Sequence, residues 1–475
     1  MLVSSQELFA VLRRFNPWWT GAAIPGLPPW KRSAYPELSR WMLTPPAPRA
    51  VLLSGARQVG KTTLLRQLAS ELVDSGVPPS QILYLTFDQP LIKLAGLESA
   101  LRTWREFHPP REGPEYLLLD EIQYSEGWQT WLKHEVDFNP ARRITVTGSS
   151  QPLRTERAES GIGRWHTIQL PTLSFREYLQ IRNTPVPELP ELRSLAEPRN
   201  WTAQRRIAVS ETARPLTAWF HEYLLRGGFP QAALLEDIEL SQKLTREDIV
   251  DRALRRDMTA FFGVRRVLEL ERLFLYLCLH DGGIVDVPTL ASSLQVSAQS
   301  VNNFVDLLEA SHLIYKLRPH GYGKEVLRGK YKVYLADPAI AGSVMLRGRD
   351  LLEDGRALGA AVEAAFFKHV FTSYYEVSIG FSFWRGKKER EVDIVASIGD
   401  LIVPFEVKYA TSSVGRDDLK GLGEFCQQRR VERAYVITRE MSDFDIVELG
   451  ATPVLKIPAP LACYWLGQPM RSGKE

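Results

Sequence analysis

An α/β protein is what this sequence predicts: a parallel sheet with flanking helices, then a mainly helical middle, then a second α/β region. Three observations predict it. An apolar segment, Val51-Leu52-Leu53-Ser54, enters a glycine-bearing turn and then a helix with Leu64, Leu65 and Leu68 on one face. Strand and helix patterns alternate over residues 49–180, as in a parallel sheet covered on its faces. From about residue 350 strands and helices return after the mostly helical stretch.

Four segments follow: an arm rich in Trp and Pro (1–48), the first α/β core (49–180), a helical region (181–340) and the last α/β region (341–475). The 475 residues suit about three domains. Apolar residues make up 44% and charged residues 24%, as in ordinary globular proteins. With 59 basic and 56 acidic residues the net charge is +3, so any polyanion site must be a local patch. Cys278, Cys426 and Cys463 are far apart and form no C-x-x-C pair, which argues against disulfides or zinc and for a reducing cytoplasm. The N-terminus lacks a signal-peptide pattern, and no apolar run is long enough to span a membrane.

The arm carries Asn16-Pro17-Trp18-Trp19, Trp30 and Trp41. Its aromatics are expected to pack on the core; stacking on bases is the sharper alternative.

In the core, Gly55-Ala56-Arg57-Gln58-Val59-Gly60-Lys61-Thr62-Thr63 fits the phosphate-loop pattern G-x-x-x-x-G-K-[ST], between a strand and a helix as that motif requires. Backbone N–H groups and the helix dipole converge there on a polyphosphate. Lys61 is expected to reach the β and γ phosphates of ATP and the Thr62 hydroxyl to ligate Mg2+. Strand candidates are Ala50–Leu53, Ile82–Phe87, Tyr116–Leu119 and Ile144–Thr147. The third ends in Asp120 and Glu121: Asp120 suits the outer sphere of the magnesium and Glu121 a water-polarising base. Ser149 or Ser150, after the fourth strand, is a candidate γ-phosphate sensor. Arg164, after Gly161 and Gly163, is a candidate arginine finger or sensor. Ser174 is expected to cap a helix.

In the middle region, residues from about 285 to 320 read as a winged helix. Pro288–Leu294 forms one helix, Ser297 caps a second with Val301, Phe304, Val305 and Leu308, and Leu313–Leu317 is a strand. The second helix exposes Gln299, Ser300, Asn302, Asn303, Asp306 and Glu309 without a cation, which favours a structural or protein-contact role over DNA reading.

The last region holds a second constellation. Glu391–Ala396 and Leu401–Lys408 read as adjoining strands. Glu406 and Lys408 share a face, and Asp393 adds a carboxylate from the neighbouring strand. Glu363, on an amphipathic helix, is a further candidate ligand. Such a set can hold magnesium and activate water against a phosphodiester, with Arg385, Lys387, Lys388 and Arg390 near phosphate backbone. A salt-bridged strand pair has the same spacing. Charges interrupting an apolar strand are costly, and that tips the reading to the metal centre.

Taken together, the chain resembles a widespread prokaryotic family of AAA+ superfamily ATPases with a winged helix and a C-terminal domain similar to PD-(D/E)xK restriction endonucleases. The marks are Asn16 to Trp19, Gly55 to Thr63, Leu118-Leu119-Asp120-Glu121-Ile122-Gln123, Thr147 to Ser150, Leu173 to Tyr178, Gly227-Gly228-Phe229-Pro230, and Gly359 with Glu363, Asp393, Glu406 and Lys408. Val392 stands where the pattern usually has Pro. The resemblance implies a P-loop NTPase core that binds ATP, a restriction-endonuclease-like end, and subunits that can donate arginine fingers to one another. Two functions fit: an ATPase whose nucleotide state controls a nuclease acting on DNA, or a nucleotide switch whose last domain binds a partner or nucleic acid without cutting.

Overall fold

The computed structural model describes residues 3–148, 163–259, 264–321, 330–374, 379–410 and 414–468. They form two compact units rather than four segments. The first is Met1–Leu170 with Ala310–His312, and the second is the remainder.

The first unit contains a five-stranded sheet: β1 (Ala50–Ser54), β2 (Ile82–Thr86), β3 (Glu115–Asp120), β4 (Arg142–Gly148) and β5 (Trp165–Gln169). The order is β2-β3-β4-β1-β5 and every pairing is parallel. Parallel sheets are covered on both faces, so continuous apolar runs such as Tyr116-Leu117-Leu118-Leu119 become fully buried strands. β5 escapes the sequence reading because Trp165-His166-Thr167-Ile168-Gln169 has only one fully buried position.

The arm belongs to this unit. A helix over Ser5–Phe15, started by a Ser4/Glu7 capping box, buries Leu8 and Leu12 in the same core as β2 and β3. Asn16 then works as one residue of an extra strand: its Nδ2 donates to Tyr84 O at 2.9 Å and its Oδ1 accepts from Tyr84 N at 2.7 Å. The indole N–H groups of Trp18 and Trp19 donate to Ile82 O at 3.2 and 2.9 Å. Trp41 stacks on His166 with ring centroids 4.3 Å apart. These aromatics close the sheet edge at β2 and pack on β5, the use expected over base stacking.

The second unit opens with helices, among them Phe175–Ile181, capped by Ser174, and Leu216–Arg226. Helix Val267–Leu279, strand β6 (Ile284–Val285), helices Val287–Leu294 and Ala298–Ala310, and strands β7 (Ile314–Pro319) and β8 (Tyr331–Leu335) follow in turn. Beyond them lie helix Gly355–Tyr374 and strands β9 (Gly380–Arg385), β10 (Glu391–Ile398), β11 (Leu401–Lys408), β12 (Ala434–Thr438), β13 (Ile446–Leu449) and β14 (Thr452–Pro458). Strands on the two sides of the boundary expected at residue 340 share a sheet. Arg318 and Pro319 pair with Ser382 and Phe383, so one mixed nine-stranded sheet runs β13-β14-β12-β11-β10-β9-β7-β8-β6. In a flat sheet three strand spacings would set β8 about 14 Å from β10. Lys332 of β8 nevertheless touches Asp393 of β10 at 3.0 Å, so the sheet curls strongly between them.

Candidate functional site

The phosphate loop follows β1, and Gly60, at φ 99°, leads into helix Lys61–Asp74. A Cβ at Gly55 would lie 2.1 Å from Leu170 O, so no larger residue fits at the loop's start. Gln58 also has a positive φ, 59°. Arg32 Nη1 donates to Val59 O at 2.7 Å and props the loop from the arm, while Arg57 Nη2 donates to Tyr124 OH at 3.0 Å. Lys61 is buried and donates to Gly55 O and Ala56 O at 2.9 and 2.8 Å. Thr63, two residues on, is half-buried.

Asp120, at the end of β3, is the hub of this site. Its Oδ2 accepts from Thr62 Oγ1 at 2.7 Å and from Tyr84 OH at 2.9 Å; its Oδ1 accepts from Thr147 Oγ1 at 2.6 Å. Burial, and then the neighbouring Glu121, push its pKa up against these three hydroxyls. Glu121 occupies the left-handed region at φ 54°, and its N–H donates to Thr147 Oγ1 at 2.9 Å. Such a conformation costs about 1 kcal/mol or more and collects at functional turns. Gln123 Nε2 donates to the Glu121 carboxylate. A magnesium fits this donor set: Thr62 and Asp120 meet at a strand end beside the loop, and among the described residues the side-chain partners of Asp120 are neutral hydroxyls.

Tyr84, Thr147, Arg32 and Gln123 were not foreseen as site residues. Thr147 was within reach, since it closes the strand before the expected sensor; Ser149 itself lies outside the described residues. His312 also groups with this unit, its Nε2 2.9 Å from Ser54 Oγ. Burial, with Lys61 nearby, pushes its pKa down to about 3, so it is neutral.

Arg164 requires a correction. It precedes β5, where Ala50 N donates to its carbonyl, and its Nε lies 3.1 Å from Asp137 Oδ1. That is the opposite end of β1 from the loop, roughly 16 Å along the strand. Within one chain Arg164 is therefore no sensor of the γ phosphate. Two glycines before an arginine suggested a finger or sensor; strand pairing sets its place within the chain.

In the second unit Glu363, Asp393, Glu406 and Lys408 do come together, but with an unforeseen fifth member. Lys332 Nζ lies 2.8 Å from Glu363 Oε1, 2.9 Å from Glu391 Oε1 and 3.0 Å from Asp393 Oδ1. Lys332 is 2% exposed at its side chain and shares a strand face with Tyr334, whose OH donates to Glu363 at 2.6 Å. A register shift between β9 and β10 falls at Asp393, a bulge of the kind that re-aims a side chain. Asp393 Oδ2 accepts from Val407 N at 2.9 Å, and Lys408 Nζ lies 2.7 Å from Glu406 Oε1. Glu406 Oε2 is buried and finds no hydrogen-bond donor among the described residues.

The charges follow from this geometry. Burial opposes ionisation of Asp393, but Lys332, the Val407 N–H and Lys408 outweigh it and hold its pKa below the usual range. Burial and then Asp393 raise Glu363 to about 7 and Glu406 to about 8. Lys332 stays charged, because Asp393 and Glu363 outweigh its burial. Among the described residues no three His, Cys, Asp or Glu are placed to hold a metal ion. In this arrangement the centre does not fit the divalent cation expected of it. The basic cluster is also partly spent, with Arg390 ion-paired to Glu424.

Among the described residues no helix is long and apolar enough to cross a membrane. Residues 47–179 match the family described as an AAA domain; residues 217–350 and 358–459 match two families each described as a domain of unknown function. An uncharacterised protein of Haemophilus influenzae is 26% identical over 367 residues, covering 75% of this chain and 82% of that protein. Another, of Methanocaldococcus jannaschii, is 26% identical over 328 residues, 68% of each. The solved structure of Cdc6p from Pyrobaculum aerophilum is similar at a TM-score of 0.28 and 14% identity, over 68% of this chain and 96% of that one. The first match encloses the loop, Asp120 and Glu121 on their parallel sheet, so residues 47–179 have a P-loop NTPase fold and are similar to an AAA domain.

Proposed function

We propose that this chain is a magnesium-dependent ATPase whose nucleotide cycle acts as a switch, with the second unit serving to bind DNA or a protein rather than to cut. The observation that carries the ATPase reading is Asp120, joined at once to Thr62 of the loop, to Thr147 and to Tyr84. Lys61 is already desolvated on two carbonyls, so turning its ammonium to the β and γ phosphates exchanges one set of acceptors for another. Thr62 and Asp120 would hold Mg2+, which when bound neutralises charge across those phosphates. Glu121 accepts the proton of the water attacking the γ phosphorus as the bond to the leaving ADP oxygen breaks. Thr147 fixes the turn that aims it. Binding is preferred to cleavage in the second unit because its carboxylates are spent on ammonium groups.

The test pairs phosphate release in ATP and Mg2+ with cutting of single- and double-stranded DNA and RNA. Turnover should depend on Lys61 and Glu121, and no substrate should be cut. Turnover that survives Lys61→Ala removes the ATPase reading. Cutting that Asp393→Ala abolishes restores the nuclease.

A further inference from the structure

We propose that Lys332 is the resident cation of the second unit's acidic centre: its ammonium stands where a divalent metal would stand and keeps the centre metal-free. An ammonium has three N–H donors and no acceptor, and here three carboxylates surround it. Glu363, Glu391 and Asp393 come from a helix and from β10, yet one oxygen of each lies within 3.0 Å of Nζ. Magnesium needs its oxygens at about 2.1 Å and octahedrally placed, so it cannot share that point. A site beside it would set two positive charges a few ångströms apart with little water between them.

The fold invests in this lysine. β8 is otherwise apolar and buried at all five positions, and an ammonium there without acceptors would be prohibitive. The curl of the sheet brings it to β10, and Tyr334, two residues on, hydrogen-bonds the same Glu363. Lys408 is a different device. It pairs with Glu406, is about one-third exposed, and lies on the strand that carries its partner. The inference rests on carboxylate placement and stands apart from the ATPase reading.

The experiment measures Mn2+ binding by electron paramagnetic resonance in full-length, nucleotide-free protein, comparing the parent, Lys332→Met, Asp393→Asn and the double variant. The parent should show no Mn2+ site that Asp393→Asn removes. Lys332→Met should gain one, about 100-fold tighter than any in the parent, and the double variant should lose it. Mn2+ should also raise the unfolding temperature of Lys332→Met and not of the double variant. An Asp393-dependent Mn2+ site in the parent overturns the proposal, and so does a folded Lys332→Met without one. Because the parent measurement needs no substitution at Lys332, an Asp393-dependent site there overturns the proposal even if Lys332→Met does not fold.

Discussion

Asp120 and Asp393 are both buried carboxylates at strands, one in each unit, yet they are satisfied in opposite ways. Around Asp120 stand three hydroxyls, from Thr62, Tyr84 and Thr147. Around Asp393 stand the Lys332 ammonium and the Val407 N–H, with Lys408 close enough to favour its ionisation. Hydroxyls satisfy lone pairs without cancelling charge, so burial still pushes the pKa of Asp120 up, and an incoming cation finds an under-compensated partner. Lys332 cancels charge outright, and Asp393 is held down. A carboxylate ringed by hydroxyls is prepared for a cation; one ringed by an ammonium already has its own.

The largest expected effect lies in the first unit. Lys61→Ala should lower phosphate release ~10³-fold, since Arg57, the loop's other cation, is turned to Tyr124 OH rather than to the carbonyls that hold Lys61. Glu121→Gln should lower the turnover number ~10²-fold while leaving affinity for a fluorescent ATP analogue nearly unchanged, the mark of a group acting in the transition state. If both variants bind and turn over as the parent does, the contrast between a prepared and a filled centre collapses. Thr147→Val should act more mildly. It removes the hydroxyl that serves both Asp120 and the Glu121 N–H, costing about 1–3 kcal/mol of stability by denaturant unfolding, together with part of the turnover.

Much of the first centre was legible in the sequence because its parts are local. A glycine turn between an apolar strand and a helix, and two acids after another strand, carry their chemistry in short windows. Tyr84 and Thr147 reach Asp120 only because the strand order sets β3 between β2 and β4, and no window shows strand order. The second centre was half legible. Asp393, Glu406, Lys408 and Glu363 were named, but their cation was not, because it comes from β8 by way of a long curl of sheet. A signal existed: one lysine in the apolar strand Tyr331-Lys332-Val333-Tyr334-Leu335 raises the same cost argument that singled out Glu406 and Lys408. Arg164 shows the converse: the sequence offered it as a finger or sensor, and only strand pairing shows that it precedes β5 at the far end of β1 from the loop.

The smallest expected effect tests the filled centre through pH. Glu406 is buried, has one oxygen without a donor among the described residues, and has its pKa pushed up to about 8, first by burial and then by Asp393. Its unfolded value is near 4.5. The folded protein therefore keeps a proton that the unfolded chain gives up. Stability from this group is full below about pH 4.5 and drains away as pH rises toward about 8. Glu406→Gln cannot ionise and should escape that loss. Its unfolding temperature should match the parent near pH 4.5 and exceed it by a margin that grows until about pH 8. A difference that does not grow with pH would mean that Lys408 keeps Glu406 ionised throughout, and that the centre's second ammonium neutralises its partner as fully as Lys332 does Asp393.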